Sequence, residues 1–142
     1  MRHFNRDSRD YSFLDKLEAG LVLTGSDAKS LRTQPAQFRN SNVVIQNGIP
    51  SLINLQIPLY KYSQGQIVDT TRNRQLLLSQ KQIAKLISYR NQKYMLIPIA
   101  IYPKGHWFKV EIGIGRKMRQ YDKRQKIKSR DLERLTTSSN NF

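Results

Sequence analysis

The side chains in this sequence that could do chemistry are mainly lysines and arginines. The 142 residues include 25 Lys and Arg but only 10 Asp and Glu, which gives a formal net charge of +15. Residues 1–20 hold four basic and four acidic side chains, whereas residues 61–142 hold eighteen and five. The densest run, residues 116–130, has eight basic residues and a single acid, Asp122. Since ordinary soluble surfaces mix both signs, this concentration favours a polyanionic partner, and nucleic-acid phosphates are the simplest one.

The groups that catalysis requires are sparse. There is no cysteine, which excludes disulfides, thiolate zinc sites and thiol nucleophiles. His3, in a flexible N-terminal end, and His106, in a turn, lack metal-ligand spacing, and we predict that they are exposed or stack on bases. A nuclease holding Mg²⁺ on acids such as Asp10 and Glu18 is the enzymatic alternative, but it needs two or three convergent carboxylates. We therefore predict a protein that is not an enzyme and uses no metal and no cofactor.

Short apolar segments separated by turn residues indicate a mainly β protein. Five of them are rich enough in β-forming residues to be predicted strands: 21–24, 42–46, 51–57, 94–102 and 107–114. Asn47 and Gly48 tolerate positive φ angles, which predicts a tight hairpin turn between the second and third strands. These features predict a small antiparallel barrel, for which the oligonucleotide-binding (OB) type is one candidate among several.

Two or three short helices are predicted to flank the strands. Ser79 and Gln82 form a capping box, which predicts a helix over residues 79–90. A shorter helix is predicted over residues 28–31, and the apolar spacing over residues 11–17 is also helix-like. No apolar run is long enough to cross a membrane, so no membrane partner is expected.

Four segments carry a more specific signal. They read EAGLVLTGSDAKSLR at residues 18–32, DTTRNRQLLL at 69–78, KVEIG at 109–113 and YDKRQKIK at 121–128. In their order and spacing these segments resemble the small protein B family, the SsrA-binding proteins. The resemblance extends over residues 5–132, which is nearly the whole chain.

The resemblance implies a fold and a domain organisation. It implies an α+β, mainly β protein: an OB-fold-like antiparallel β-barrel with two to three short flanking helices over residues 1–115. Residues 116–142 would form a basic C-terminal tail that is disordered until it binds the ribosome. High charge and low hydrophobicity agree with this, because such a segment cannot form a core of its own.

The resemblance also implies a function. The family's proteins are RNA-binding adaptors that bind the tRNA-like domain of transfer-messenger RNA (tmRNA, or SsrA RNA) and deliver it to stalled ribosomes for trans-translation. The tail would probe the empty mRNA channel, with ribosomal RNA of that channel and of the decoding centre as its partner. A monomer, one per tmRNA, is expected in the bacterial cytoplasm, or in an organelle matrix or stroma. A barrel-type ribosomal or RNA-chaperone protein with a basic tail is the alternative that the residues leave open.

Individual residues can be assigned to these two roles. Arg72 and Arg74 alternate along an extended segment, which predicts that both lie on one face as a phosphate clamp. Tyr121 occupies the family's position for stacking on a decoding-centre base. The RNA-binding residues predicted on the barrel are Asn5, Arg6, Glu18, Lys29, Arg32, Arg72, Arg74, Leu77 and Lys109. Those predicted on the ribosome-probing tail are Arg116, Lys117, Arg119, Tyr121, Asp122, Lys123, Arg124, Lys126, Ile127 and Lys128.

Overall fold

Seven antiparallel strands form the body of the protein in a computed structural model that describes residues 2–60, residues 70–119 and Arg124. The strands are β1 (His3–Phe4), β2 (Tyr11–Leu21), β3 (Asn42–Gln46), β4 (Ile49–Ile53), β5 (Arg74–Leu77), β6 (Met95–Lys104) and β7 (Trp107–Lys117). They lie in the order β1-β6-β7-β2-β5-β4-β3, and every neighbouring pair is antiparallel. Because β3 also packs against β6, the sheet curves into a partly closed barrel. This confirms the predicted mainly β fold.

Within residues 2–60 and 70–119, two α-helices and one short 3₁₀ helix flank the sheet. They are α1 (Gly25–Thr33), α2 (Gln80–Asn91) and the 3₁₀ helix Arg6–Asp10. The predicted capping box starts α2, since the Ser79 hydroxyl accepts from the Gln82 amide at 3.2 Å and the Gln82 side chain accepts from the Ser79 amide at 3.1 Å.

The strand β2 replaces the helix that the spacing over residues 11–17 suggested, so that prediction is wrong. Alternate residues of β2 are exposed, and a bulge interrupts its pairing with β7 between Phe13 and Asp15. Leu14, at the bulge, is exposed. The apolar residues of this segment, an exposed leucine beside a packed phenylalanine, are spaced as they would be in a helix. Only the pairing with the neighbouring strand β7 shows that the segment is a strand.

The β3–β4 hairpin forms as predicted. Asn47 and Gly48 have φ angles of 52° and 77°, as a type I′ turn requires. The predicted strand 51–57 is shorter in the structure, because Asn54 adopts a left-handed φ of 60° and turns the chain away after Ile53.

The core lies between the inner face of the curved sheet and the two α-helices. Its fully buried side chains are Leu31, Val43, Leu52, Leu55, Ile57, Leu76, Leu86, Leu96, Ile101, Val110, Ile112 and Ile114. Every strand from β3 to β7 contributes to this set, and each α-helix contributes one leucine. This packing fixes the shape of the sheet, and the opposite face of the sheet carries the remaining side chains.

Candidate nucleic-acid interface

One row of side chains crosses four strands on the outside of the barrel. Register partners in an antiparallel sheet project from the same face. Leu77 of β5 pairs with Gly20 of β2, Gly20 pairs with Lys109 of β7, and Lys109 pairs with Tyr102 of β6. An apolar side chain, a lysine and a tyrosine are thus aligned across the sheet.

A second row lies beside the first. Glu18 of β2 pairs with Glu111 of β7, Glu111 with Ala100 of β6, and Ala100 with Phe4 of β1. We call the surface made by these two rows the outer face. Three residues predicted to bind RNA, Glu18, Leu77 and Lys109, meet on it although they belong to three separate segments of the sequence.

On the outer face, the Glu18 side chain is held by two side chains of β6. Its carboxylate accepts a hydrogen bond from the Tyr102 hydroxyl and one from Lys104 Nζ at 3.1 Å. These two bonds, that of Tyr102 first, lower the pKa of Glu18. Burial, and then the bond to Glu18, raise the pKa of Tyr102 to about 12, so the hydroxyl keeps its proton at neutral pH. The carboxylate is therefore ionised, oriented and partly neutralised.

A second charge cluster borders this one. Glu111 lies 3.7 Å from Arg2 and 3.8 Å from Lys16, nitrogen to oxygen. The Arg2 guanidinium also stacks over the Tyr102 ring, 5.1 Å from its centroid. Among the described residues, the outer face and its border carry two acids, Glu18 and Glu111, against four basic side chains: Arg2, Lys16, Lys104 and Lys109. This excess gives the surface the sign that attracts phosphate.

The outer face is flat at its centre, where a glycine lies, and carries exposed apolar side chains at its ends. Gly20 lies in the middle of the first row, and a Cβ atom there would stand only 3.2 Å from the Leu77 side chain. Leu77 is 58% exposed and Trp107, at the start of β7, is 72% exposed. Large apolar side chains left in the open beside cations provide the surfaces that unpaired bases and riboses pack against.

Asn5 supports this surface from inside instead of lying on it. It is only 3% exposed, its Nδ2 donates to the Pro98 carbonyl at 2.7 Å, and its Oδ1 accepts from the Asp7 amide at 3.1 Å. The side chain therefore caps the 3₁₀ helix and ties it to β6. A direct contact between Asn5 and RNA, as predicted, has no support in this geometry, whereas its neighbour Arg6 is exposed.

Arg72 and Arg74 do not form the exposed clamp that their alternation predicted. The Arg74 side chain is 1% exposed and donates to the Asp27 carboxylate at 3.2 Å and to the Leu55 carbonyl at 2.7 Å. Arg72 donates to the same carboxylate and to the Thr24 hydroxyl. The two arginines do alternate along the chain, but the Arg74 side chain points inward, and its ion pair with Asp27 joins β5 to α1.

The remaining predicted barrel residues lie on the solvent side of α1. Lys29 and Arg32 are both exposed, and the Lys29 ammonium lies 5.6 Å from the centroid of the Tyr60 ring. Neither belongs to the two rows of the outer face. They remain predictions as RNA contacts.

The predicted tail is only partly described by the structure. Arg116 and Lys117 are the last two residues of β7, and the Met118 amide donates to the Asp10 carbonyl at 2.8 Å, so the barrel extends past residue 115. Arg116 stacks on the Tyr94 ring at 4.2 Å from its centroid. Arg119 and Arg124 are exposed. The other predicted tail residues lie outside the described residues: Tyr121, Asp122, Lys123, Lys126, Ile127 and Lys128.

Sequence reasoning missed part of the outer face and misplaced one histidine. The predicted strand 94–102 ends at Tyr102 and leaves Lys104 in a turn, whereas β6 continues to Lys104. The link of both residues to Glu18 needs the pairing of β6, β7 and β2. His3 is buried, not exposed: Nδ1 accepts from the Ala36 amide at 3.1 Å and Nε2 donates to the Leu31 carbonyl at 2.7 Å. Burial lowers the pKa of this imidazole.

In residues 2–60 and 70–119, no three His, Asp or Glu side chains lie close enough together to hold a metal ion. Neither α1 nor α2 has the length and apolar character that a helix needs to cross a membrane.

Comparisons with known proteins agree with one another. The family model described as "SmpB protein" matches residues 3–140. An SsrA-binding protein of Lactobacillus johnsonii is 42% identical over 128 residues, covering 89% of this chain and 85% of that protein. One of Microcystis aeruginosa is 39% identical over 133 residues, covering 92% and 86%.

The fold is similar as well. A solved structure described as "tmRNA-SmpB: a journey to the center of the bacterial ribosome" matches with a TM-score of 0.71 at 32% identity, covering 89% of this chain and 94% of that one. Sequence, fold and the residues gathered on the outer face thus agree, and the chain belongs to the SmpB protein family.

Proposed function

We propose that this chain is an RNA-binding adaptor of trans-translation, which binds the tRNA-like domain of tmRNA and delivers that RNA to stalled ribosomes. The observation that carries this proposal is the meeting of Glu18, Leu77 and Lys109 on the outer face. Its relatives are named SsrA-binding proteins, and a similar solved structure is described as tmRNA-SmpB in the bacterial ribosome.

The outer face offers each kind of contact that a folded RNA needs. Lys109 supplies a point charge for a phosphate, and exposed Leu77 supplies an apolar surface for a base or ribose. Glu18 would repel phosphate on its own, but two hydrogen bonds neutralise it in part and leave lone pairs free for a base amino group. Charge gives affinity here, and the oriented carboxylate gives selectivity.

The proposal assigns a different task to residues 120–142, the part of the predicted tail that follows the barrel. Six basic and three acidic side chains lie between residues 120 and 142. We assign to this segment the ribosomal part of the function: it enters the vacant mRNA channel, where Tyr121 stacks on a decoding-centre base. We place the protein in the bacterial cytoplasm, as a monomer bound to one tmRNA, because the relatives are bacterial. No step of this function makes or breaks a covalent bond.

The test compares two single lysine variants that lose the same charge. Lys109 lies in the first row of the outer face, whereas Lys81 is exposed on α2 and belongs to neither row. For Lys109→Gln we expect about tenfold weaker binding of tmRNA, as for loss of one charge-assisted phosphate contact. The slope of log affinity against log salt should become shallower by about 0.7–0.9. Lys81→Gln should change neither quantity.

The same titration includes an RNA of equal length that lacks a tRNA-like domain. We expect the wild-type protein to bind it much more weakly than tmRNA at 150 mM salt. Equal affinity for both RNAs would contradict the proposal and favour a general RNA chaperone. Sequencing the RNA that copurifies with the protein gives an independent answer, because tmRNA should dominate it.

A further inference from the structure

A cleft of about 570 Å³ opens beside the outer face, at the edge strand β1. One wall is formed by β1 and the 3₁₀ helix, and the other by residues 35–39, which follow α1. Its volume falls within the range of small-molecule pockets, roughly 300–1,000 Å³. Neither Tyr102 nor Lys104, the two donors to Glu18, lines it.

The lining of the cleft is basic and carries an exposed aromatic ring. Arg2, Arg6 and Arg39 line it, against a single acid, Asp7. Within the described part of the chain, neither Arg6 nor Arg39 has a carboxylate oxygen within 4 Å. Phe4 is 46% exposed at the mouth. Two uncompensated guanidinium groups near an open ring match a ligand with a phosphate and a planar base.

The cleft is held open by a buried side chain that offers nothing to a ligand. His3 belongs to the first wall and uses both ring nitrogens to hold the second: one accepts from the Ala36 amide, and the other donates to the Leu31 carbonyl of α1, the helix that leads into that wall. Gln37 and Gln56 add two backbone hydrogen bonds of 2.9 and 3.0 Å, which fix the second wall. A ligand therefore meets a cleft whose shape exists beforehand, which lowers the entropic cost of binding.

The cleft is continuous with the outer face. Phe4 is the last residue of the second row, in register with Ala100, and so shares a face with Glu111 and Glu18. Arg2, which also lines the cleft, contacts both Tyr102 and Glu111 of the outer face. An RNA lying on the outer face would reach this opening without leaving the protein surface.

We infer that the cleft between Phe4, Arg6 and Arg39 binds one unpaired nucleotide of the RNA that occupies the outer face. The base stacks on the face of the Phe4 ring opposite Arg9, whose guanidinium lies 5.6 Å from the ring centroid. The phosphates next to that base lie between Arg6 and Arg39. This inference rests on the proposed function, since it takes tmRNA as the RNA concerned.

The test is a charge-matched pair of double variants. Arg6→Gln with Arg39→Gln removes two cleft charges, and Lys81→Gln with Arg90→Gln removes two exposed charges from α2. For the cleft variant we expect a salt slope shallower by about 1.4, at about 0.7 per contact in a single-stranded region. One loop nucleotide of tmRNA should also lose its protection from chemical modification. The α2 variant should leave slope and protection unchanged.

A third variant separates stacking from charge. Phe4→Leu keeps an apolar side chain on β1, so the fold is retained, but it removes the aromatic ring. We expect about fivefold or greater loss of tmRNA affinity with an unchanged salt slope, as for one lost base stack. Adenosine monophosphate should not compete at millimolar concentration. Strong competition by that free nucleotide would overturn the assignment of the cleft to an RNA chain.

Failure of the inference and failure of the proposed function look different. If wild-type protein does not prefer tmRNA, the proposed function fails. If it prefers tmRNA and Lys109→Gln weakens binding, but the cleft variant behaves like the α2 variant, the cleft inference alone is overturned. Melting temperatures of all variants establish that a lost contact is not a lost fold.

Discussion

Glu18 shows how a single acid can serve a surface that we propose binds a polyanion. Its carboxylate is exposed, yet it accepts from Tyr102 and Lys104, so it orients a phenol ring and an ammonium group. Tyr102 in turn carries Arg2 over its ring. Removing the acid would therefore release three neighbours, and its effect on RNA binding would exceed that of its own contact.

Tyr102→Phe is the variant that isolates this positioning role. The ring and its contact with Arg2 remain, but Glu18 loses a donor, so the pKa of Glu18 should rise toward its ordinary value. We expect tmRNA affinity to fall about threefold to tenfold, the effect of one lost hydrogen bond to a charged group at an exposed site. A titration of the Glu18 carboxylate by NMR, together with affinity measured against pH, checks both statements.

The sign of the pH effect follows from the direction of the shift. Because the pKa of Glu18 is lowered in the folded protein, the ionised, oriented form persists at neutral pH and is lost only as the pH falls through that lowered value. In Tyr102→Phe the loss of affinity on acidification should begin at higher pH. Tyr89→Phe is the control, since that hydroxyl donates to Asp15 on β2, 3.3 Å away. Identical acid limbs for both variants would contradict the role given to Tyr102.

At the scale of elements, Asp27 joins α1 to β5. Arg74 of β5 and Arg72 just before it both donate to this carboxylate, and Arg74 also donates to the Leu55 and Thr70 carbonyls. The arrangement fixes the helix relative to the strand that carries Leu77. A helix and a strand 40 residues apart in sequence thus share one buried charge network.

Asp27→Asn should destabilise the protein strongly. It leaves the Arg74 charge in the interior without its counter-ion, and breaking a buried pair from one side costs about 3–5 kcal/mol. Denaturant unfolding of the variant measures this loss. Asp15→Asn is the matched control, because Asp15 pairs with a half-exposed Lys85 at 2.7 Å, and such pairs contribute about 0–1 kcal/mol. Equal losses in the two variants would show that the Asp27 network is not a buried ion pair in solution.

Elements with local signals were predictable, and those that depend on a neighbour were not. The capping box at Ser79 and the Asn47-Gly48 turn are contained within a few residues, and both form as predicted. The orientation of β5 has no local signal of this kind. Alternation tells that Arg72 and Arg74 share a side, but not which side is buried, because a shift of one residue exchanges the two faces. The partner that decides it, Asp27, lies 47 positions away.

The candidate site likewise contains residues that could be identified from the sequence and residues that could not. Glu18, Leu77 and Lys109 were identified by the resemblance to a family, and the register of β5, β2 and β7 explains how they meet on one face. Asn5 was identified in the same way, but the structure gives it a capping role within the barrel. Tyr102 and Lys104 carry no motif, and only strand pairing places them beside Glu18.

In the sequence as a whole, the excess charge is divided between residues 1–119 and residues 120–142, to which we assign separate tasks. The outer face mixes cations with Glu18 and Glu111, as a selective surface does. The segment from residue 120 to residue 142 adds six basic and three acidic side chains, a net +3 of the total +15. The larger part of the excess therefore stays with residues 1–119, which agrees with placing the tmRNA contacts there.

Truncation after Arg119 tests this division. The barrel should remain folded, because β7 ends at Lys117 and the Met118 amide still donates to Asp10. We expect tmRNA affinity to fall by less than about tenfold, since a net +3 is removed but the outer face and cleft are untouched. Release of stalled ribosomes in a reconstituted system should be abolished.

A full-length Tyr121→Ala protein, which keeps every tail charge, should bind tmRNA normally and lose part of the release activity. If affinity for tmRNA instead collapsed on truncation while the melting temperature held, the tail and not the outer face would be the main contact with that RNA, and the charge of the barrel would need another partner.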